Sequence, residues 1–176
     1  MGRSLRQLPV KGMGTQVADA PRSFEEFFAS EHRRLFGALC LVTGDRSASE
    51  EIMQDAFLRL WERWDEVGGV DDPSGYLFRT AMNLFRNRYR RAALALKKAI
   101  YATSSEDALA TVEDRDVVVR ALRDLTPDQR AAVVLTNYIG LTSEEAGRVL
   151  GMRAATVRTL ATRARAAVRD KTGDPR

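Results

Sequence analysis

The sequence predicts an all-α chain of two small helical domains joined by a short flexible linker. Three observations carry that prediction. Apolar residues recur every three or four positions along most of the chain, and period-two alternation is found nowhere. Helix-start signals, a Ser or Thr followed three residues later by Glu or Gln, recur between the apolar segments. A polar, acidic stretch, SSEDALATVED, interrupts the pattern between a longer upstream part and a shorter downstream part. At 176 residues the chain is long enough for one ordinary domain or two small ones.

Residues 1–22 hold glycines, two prolines and scattered basic residues without periodicity, so they are expected to form a disordered tail. Met13, inside that tail, is an alternative to Met1 as the start. Ser23 with Glu26 opens the first helix, whose apolar positions are Phe24, Phe27, Phe28, Leu35, Leu39 and Val42. The turn Thr43-Gly44-Asp45-Arg46 ends it. Ser47 with Glu50 is expected to open the next helix, which carries Ile52, Met53, Ala56, Phe57, Leu60, Trp61 and Trp64 in a band wide enough for two partners. At least one of the two tryptophans is expected in the core. Gly68-Gly69 and Asp71-Asp72-Pro73 break the chain, and Ser74 is expected to cap a long helix reaching Ile100. Along it Leu77, Ala81, Leu84 and Phe85 form one stripe, while Arg79, Asn83, Arg86 and Arg90 share another face.

The first domain is thus expected over 23–100, the linker over 101–114, the second domain over 115–171 and a short tail over 172–176. Val118, Leu122 and Leu125 mark a short amphipathic helix in the second domain. Thr126-Pro127-Asp128-Gln129 starts another with a cap, a proline at the first helical position and a capping-box partner. Val133, Val134, Leu135 and Tyr138 are its apolar positions, and Gly140 stops it. Thr142 with Glu145 opens a helix carrying Ala146, Val149 and Leu150, and Gly151 is its C-terminal cap. The final helix carries Val157, Ala161, Ala164 and Val168 at helical spacing.

The net charge of +4 and pI near 9.6 matter less than where the charge lies. Tyr76–Ile100 holds Arg79, Arg86, Arg88, Arg90, Arg91, Lys97 and Lys98 without an acid. Ala146–Lys171 holds seven basic residues against Asp170 alone. Thr43–Asp72 is instead acidic. Two basic islands suit two contacts with nucleic acid. A single cysteine, Cys40, excludes an internal disulfide, and its place in an apolar stripe marks it as a buried, inert thiol. His32 is the only histidine, so no metal site and no His-based catalytic dyad is expected; a P-loop is also lacking. No apolar run approaches the roughly 18 residues a membrane helix needs, and no signal peptide is recognisable, so a cytoplasmic protein without cofactor or membrane partner is expected.

A helix of about eight residues, then Gly151, then a basic amphipathic helix is the arrangement of a helix-turn-helix. A small residue in the turn lets the helices cross steeply, so the second can enter the major groove. Near its start Arg153, Ala154, Thr156, Arg158 and Thr159 are best placed for base edges. Further along, Thr162, Arg163, Arg165 and Arg169 are better placed for phosphates.

The segment from Ala121 to Asp170 resembles region 4 of the extracytoplasmic-function (ECF) sigma factors of the sigma-70 family. The resemblance lies in Leu125-Thr126-Pro127 with Gln129-Arg130, Gly140-Leu141 before Glu144-Glu145-Ala146, Leu150-Gly151, Thr156-Val157-Arg158 and Arg163-Ala164-Arg165. Upstream, SFEEFFASEHRRLFGALCLVTGDRSASEEIMQDAFLRLWERW and GYLFRTAMNLFRNRYRR resemble region 2, closest to actinobacterial sigma-E-like members. The resemblance implies an alternative sigma factor that binds core RNA polymerase and directs promoter recognition and opening. By resemblance, Asp55, Phe57, Arg59, Leu60 and Trp61 dock on the polymerase clamp, and the second domain meets the flap. Arg79, Asn83, Arg86, Asn87 and Arg90 face the −10 element, and the loop from Asp65 to Gly75 receives a flipped base, with Tyr76 and Phe78 nearby. The second domain would read the −35 element, and an anti-sigma factor is a further implied partner. At Leu160-Ala161 the chain departs from the Arg-Leu pair common in the family, so one basic side chain is missing. A stand-alone helix-turn-helix regulator is the alternative reading.

Overall fold

The computed structural model describes residues 23–69, 71–100 and 117–172, and all regular structure among them is helical. The expected tail 1–22, the linker 101–114 and residues 173–176 lie outside the described residues.

Helix α1, Phe24–Thr43, starts where the Ser23 hydroxyl accepts a bond from the Glu26 amide at 3.2 Å. It stops at Gly44, whose φ of +69° turns the chain while its amide bonds to the Cys40 carbonyl. That sharp exit places Asp45 in extended backbone directly over the next helix. Its carboxylate accepts from the Ala48 amide at 2.7 Å, so Asp45, not the expected Ser47–Glu50 pair, caps α2, Arg46–Trp61. Ser47 already lies inside the first turn.

The aromatic band is also divided differently from expectation. α2 ends at Trp61, and Trp64 begins a separate short turn, α3, Trp64–Val67. Trp64 folds back onto Phe24 and Phe27, with ring centroids 5.4 and 5.2 Å away, and packs half-buried against the core, whereas Trp61 is exposed. Helix α4, Pro73–Ile100, likewise begins before the expected cap. The Asp72 carboxylate accepts from the Gly75 amide at 2.7 Å, and Pro73 occupies the first helical position. Ser74 instead donates to Glu31 at 3.2 Å, tying α4 to α1. Leu35, Leu39, Leu60, Leu77 and Met82 are fully buried between α1, α2 and α4.

The second half comprises α5, Val117–Arg123, α6, Pro127–Val133, α7, Ser143–Leu150, and α8, Ala154–Thr172. Both expected capping boxes form, Thr126 with Gln129 and Thr142 with Glu145. After Val133 the helix widens into a π-helical turn, Val134–Tyr138, before Gly140 releases it at φ +82°. Val157, Ala161 and Ala164 on α8 are buried as α8 crosses α5, α6 and α7.

The turn between α7 and α8 depends on a glycine that periodicity does not mark. The Met152 amide bonds to the Gly147 carbonyl at 2.9 Å, and a Cβ on Gly147 would lie 2.7 Å from the Met152 carbonyl oxygen. Backbone, not a pliable side chain, is in the way. Replacing Gly147 by Ala should therefore destabilise the second half by about 1–3 kcal/mol, although alanine is the better helix former elsewhere. A thermal melt showing the alanine variant equal to or above the parent would refute this close approach.

Candidate nucleic-acid interface

On α8 the buried residues Val157, Ala161 and Ala164 leave the opposite faces in solvent. Arg153, Thr156, Arg158, Thr159, Thr162, Arg163 and Arg165 are all exposed, and Ala154 is half-buried. Arg158 reaches Glu144 on α7 at 3.1 Å, and Arg165 donates to the Thr162 hydroxyl at 3.2 Å. Both partners are solvent-exposed, so a phosphate or base edge can displace them at little cost. Where the chain departs from the Arg-Leu pair, Ala161 is buried and Leu160 packs half-buried against the core. Leu160 therefore extends the apolar side of α8 where a cation was expected.

The second basic surface lies on α4. Arg79, Asn83, Asn87 and Arg90 are exposed, and Arg90 donates to the Asn87 side-chain oxygen at 2.6 Å. Arg86 differs. Its Nε donates to Asp128 on α6 at 2.9 Å and its Nη1 to the Leu150 carbonyl, at the end of α7, at 2.7 Å. The helical face thus remains as the spacing predicts, but its central arginine is held by the other half of the chain. Asp71, Asp72 and the first turn of α4 face that half too, across a cleft whose far wall includes Ile139, Leu141, Glu145 and Arg148. Phe78 is a core residue. Tyr76 is half-buried, with its hydroxyl accepting from Arg63 at 3.2 Å.

A third surface is apolar. Phe28 is 39% exposed, Leu58 52% and Trp61 59%, and they lie together with Phe24 and the edge of Phe57. Among the five residues expected to dock on polymerase, Asp55, Arg59 and Trp61 are exposed. Leu60 is not available: at 0% exposure it belongs to the core, because it lies on the α2 side that faces α1 and α4. Phe57, at 4%, offers only an edge, packed 4.7 Å from the Phe28 ring. Leu58 and Phe28 were missed by the sequence reading. Leu58 precedes Trp61 by three positions on a helix, and Phe28 follows Phe24 by four, so spacing alone held the signal. Elsewhere Cys40 is half-buried, and burial pushes its thiol above the ordinary value, which keeps it protonated and unreactive.

A helix-turn-helix with an exposed basic second helix, an arginine-lined helix in the first half and an exposed apolar patch together mark the class of DNA-binding transcription proteins. The family models for Sigma-70 region 2 and Sigma-70, region 4 match residues 27–94 and 115–168. ECF RNA polymerase sigma factor SigM of Mycobacterium tuberculosis is 30% identical over 157 residues, covering 88% of this chain and 79% of that protein. RNA polymerase sigma-E factor of Streptomyces avermitilis is 27% identical over 150 residues, covering 84% of each. In solved structures, the sigma factor RpoE in complex with the anti-sigma factor NepR, from Bartonella quintana, superposes with a TM-score of 0.73 at 20% identity, covering 87% of this chain and 98% of that one. CnrH in complex with the cytosolic domain of CnrY superposes at 0.59 with 25% identity, covering 85% and 86%. The chain belongs to the ECF group of the sigma-70 family: it is an alternative RNA polymerase sigma factor, which acts on promoter DNA with core polymerase.

The apolar patch separates two kinds of residue on one helix. Trp61→Ala should weaken binding to core polymerase several-fold while leaving thermal stability nearly unchanged, since its side chain is largely solvated. Leu60→Ala should instead cost about 2–5 kcal/mol of stability. Unfolding curves with polymerase pull-down check both, and a Trp61 variant that binds core normally would show that the expected docking role does not fall on that residue.

Proposed function

We propose that residues 23–100 act as region 2 and residues 115–171 as region 4, each carrying one promoter contact. The observation that carries this reading is the outward row on α8, Arg153, Thr156, Arg158, Thr159, Thr162, Arg163 and Arg165, with Ala154 at its start. Side chains near the start of the helix reach base edges of the −35 element, and later arginines meet phosphates. Arg79, Asn83, Arg86, Asn87 and Arg90 on α4 meet the −10 element, chiefly through its backbone. The flipped base is received between Asp65 and Gly75, from the end of α3 to the start of α4, with Tyr76, half-buried under the Arg63 guanidinium, nearer to the surface than the buried Phe78. Asp55, Arg59 and Trp61, with Leu58 and Phe28 beside them, dock on the polymerase clamp, and the second half meets the flap.

The role is one of binding and positioning: the chain supplies recognition and polymerase supplies catalysis. No described helix is long and apolar enough to cross a membrane, and the site of action we propose is the cytoplasm. RpoE is solved with the anti-sigma factor NepR, which supports an anti-sigma factor as a regulator of this chain as well.

Transcription reconstituted from promoter DNA, core polymerase and this protein should initiate at specific sites, and the protein alone should bind the promoter poorly. Initiation no better than with core alone would overturn the assignment. Arg158→Ala should weaken −35 recognition by about 1–3 kcal/mol if the guanidinium reads a base. An equal loss on every DNA sequence, with a shallower salt dependence, would make it a phosphate contact.

A further inference from the structure

Two glutamates stand side by side in the first turn of α7, and they have different tasks. Glu145 closes the capping box, its Oε2 accepting from the Thr142 amide at 2.8 Å and from the Thr142 hydroxyl at 2.9 Å. Glu144 takes no part in that cap. On one helix its usual partner would be Arg148, four positions on. Its Oε1 accepts instead from Nη1 of Arg158 on α8, at 3.1 Å. The two residues lie 14 positions apart, and the fold of the turn brings them together. Gly147 lets the α7 backbone pass close to Met152, Gly151 redirects the chain at φ +64°, and Val157, next to Arg158, is fully buried. With side chains 59% and 61% exposed, the pair adds little to stability, and its consequence is geometric.

We propose that Glu144 is a positioning residue for −35 readout, holding the Arg158 guanidinium so that its Nε–Nη2 edge is presented to a guanine. The proposal rests on the assignment of α8 to the −35 element. A guanidinium is a planar fork of five donors, and the carboxylate engages Nη1 alone. The edge formed by Nε and Nη2 is left for DNA, and two parallel donors are what N7 and O6 of guanine accept. An arginine already oriented loses less rotamer freedom when it binds. The carboxylate also offsets the charge of Arg158 and itself repels phosphates. Non-specific attraction is thereby reduced while the fork is retained, and specificity is the difference between the two. Arg165, which the same reading assigns to phosphates, donates to the neutral hydroxyl of Thr162.

The test uses the full chain and its variants assembled with core polymerase, on a duplex library randomised across both promoter elements. Sequencing the bound fragments gives a base preference at each position. Arg158→Ala is expected to lose the preference for a guanine, on either strand, at one position of the −35 element. Glu144→Ala should weaken that same preference about threefold, the size expected of one exposed ion pair, and leave the other positions as they are. Glu144→Gln keeps an acceptor in the same place and should recover part of it. Binding to a mixed-sequence duplex without a promoter should be unchanged or tighter in both Glu144 variants, because a negative charge has been removed. A merely structural role would weaken binding to all DNA alike. In the double variant the loss should not exceed that of Arg158→Ala. A guanine preference kept in Glu144→Ala, losses that add in the double variant, or an equal loss on all DNA overturns the proposal. The Arg158→Ala arm separates this failure from that of the underlying reading. If that variant keeps every base preference of the parent, Arg158 reads no base, and the proposal falls with the assignment.

Discussion

Unsatisfied carbonyls at helix ends, met by arginines from the opposite half, are the constraint on which this structure turns. Short helices have a large share of such carbonyls, and this chain is built from several helices of seven or eight residues. Arg130 shows the principle most fully. It is only 6% exposed, and burial lowers its pKa, yet its guanidinium donates to the carbonyls of Val42, Arg123 and Leu125. A buried cation is tolerable here because carbonyl dipoles replace the water lost around Nη1 and Nη2, while its Nε is buried without a partner. The same side chain closes the α5–α6 corner and reaches the end of α1, so local order in the second half and its seat on the first share one group.

This arrangement leaves the three candidate surfaces in different conditions. The α8 row and the aromatic patch around Trp61 stand free on the outside, whereas the α4 face is partly engaged at Arg86.

Much of the fold was legible in the sequence because helical periodicity and capping boxes are local. Thr126 with Gln129 and Thr142 with Glu145 cap as their spacing predicts, since each box closes within four residues. The misplaced starts, at Ser47 and Ser74, share a cause. In each case an aspartate, Asp45 or Asp72, stood earlier in the chain and took the amide first. The first followed a left-handed glycine and the second preceded a proline, so backbone direction chose the cap. The candidate sites were legible as helical faces, but exposure within them was not. Leu60 and Trp61 are adjacent on α2 and read alike as large apolar residues, yet one is core and the other surface. Only the position of α1 and α4 decides which.

By itself the sequence determined the helices, the helix-turn-helix and the basic faces, because spacing along a helix assigns residues to a face without reference to any other element. It also carried the family, through motifs that persist as short runs. Tertiary structure decided which arginines are held by the other half of the chain. Arg86 and Arg90 lie on the same predicted face, but Arg86 is drawn to Asp128 and the end of α7, residues more than forty positions away. Partners at that separation leave no periodic trace in the chain; they exist only once folding has brought a helix end to the arginine.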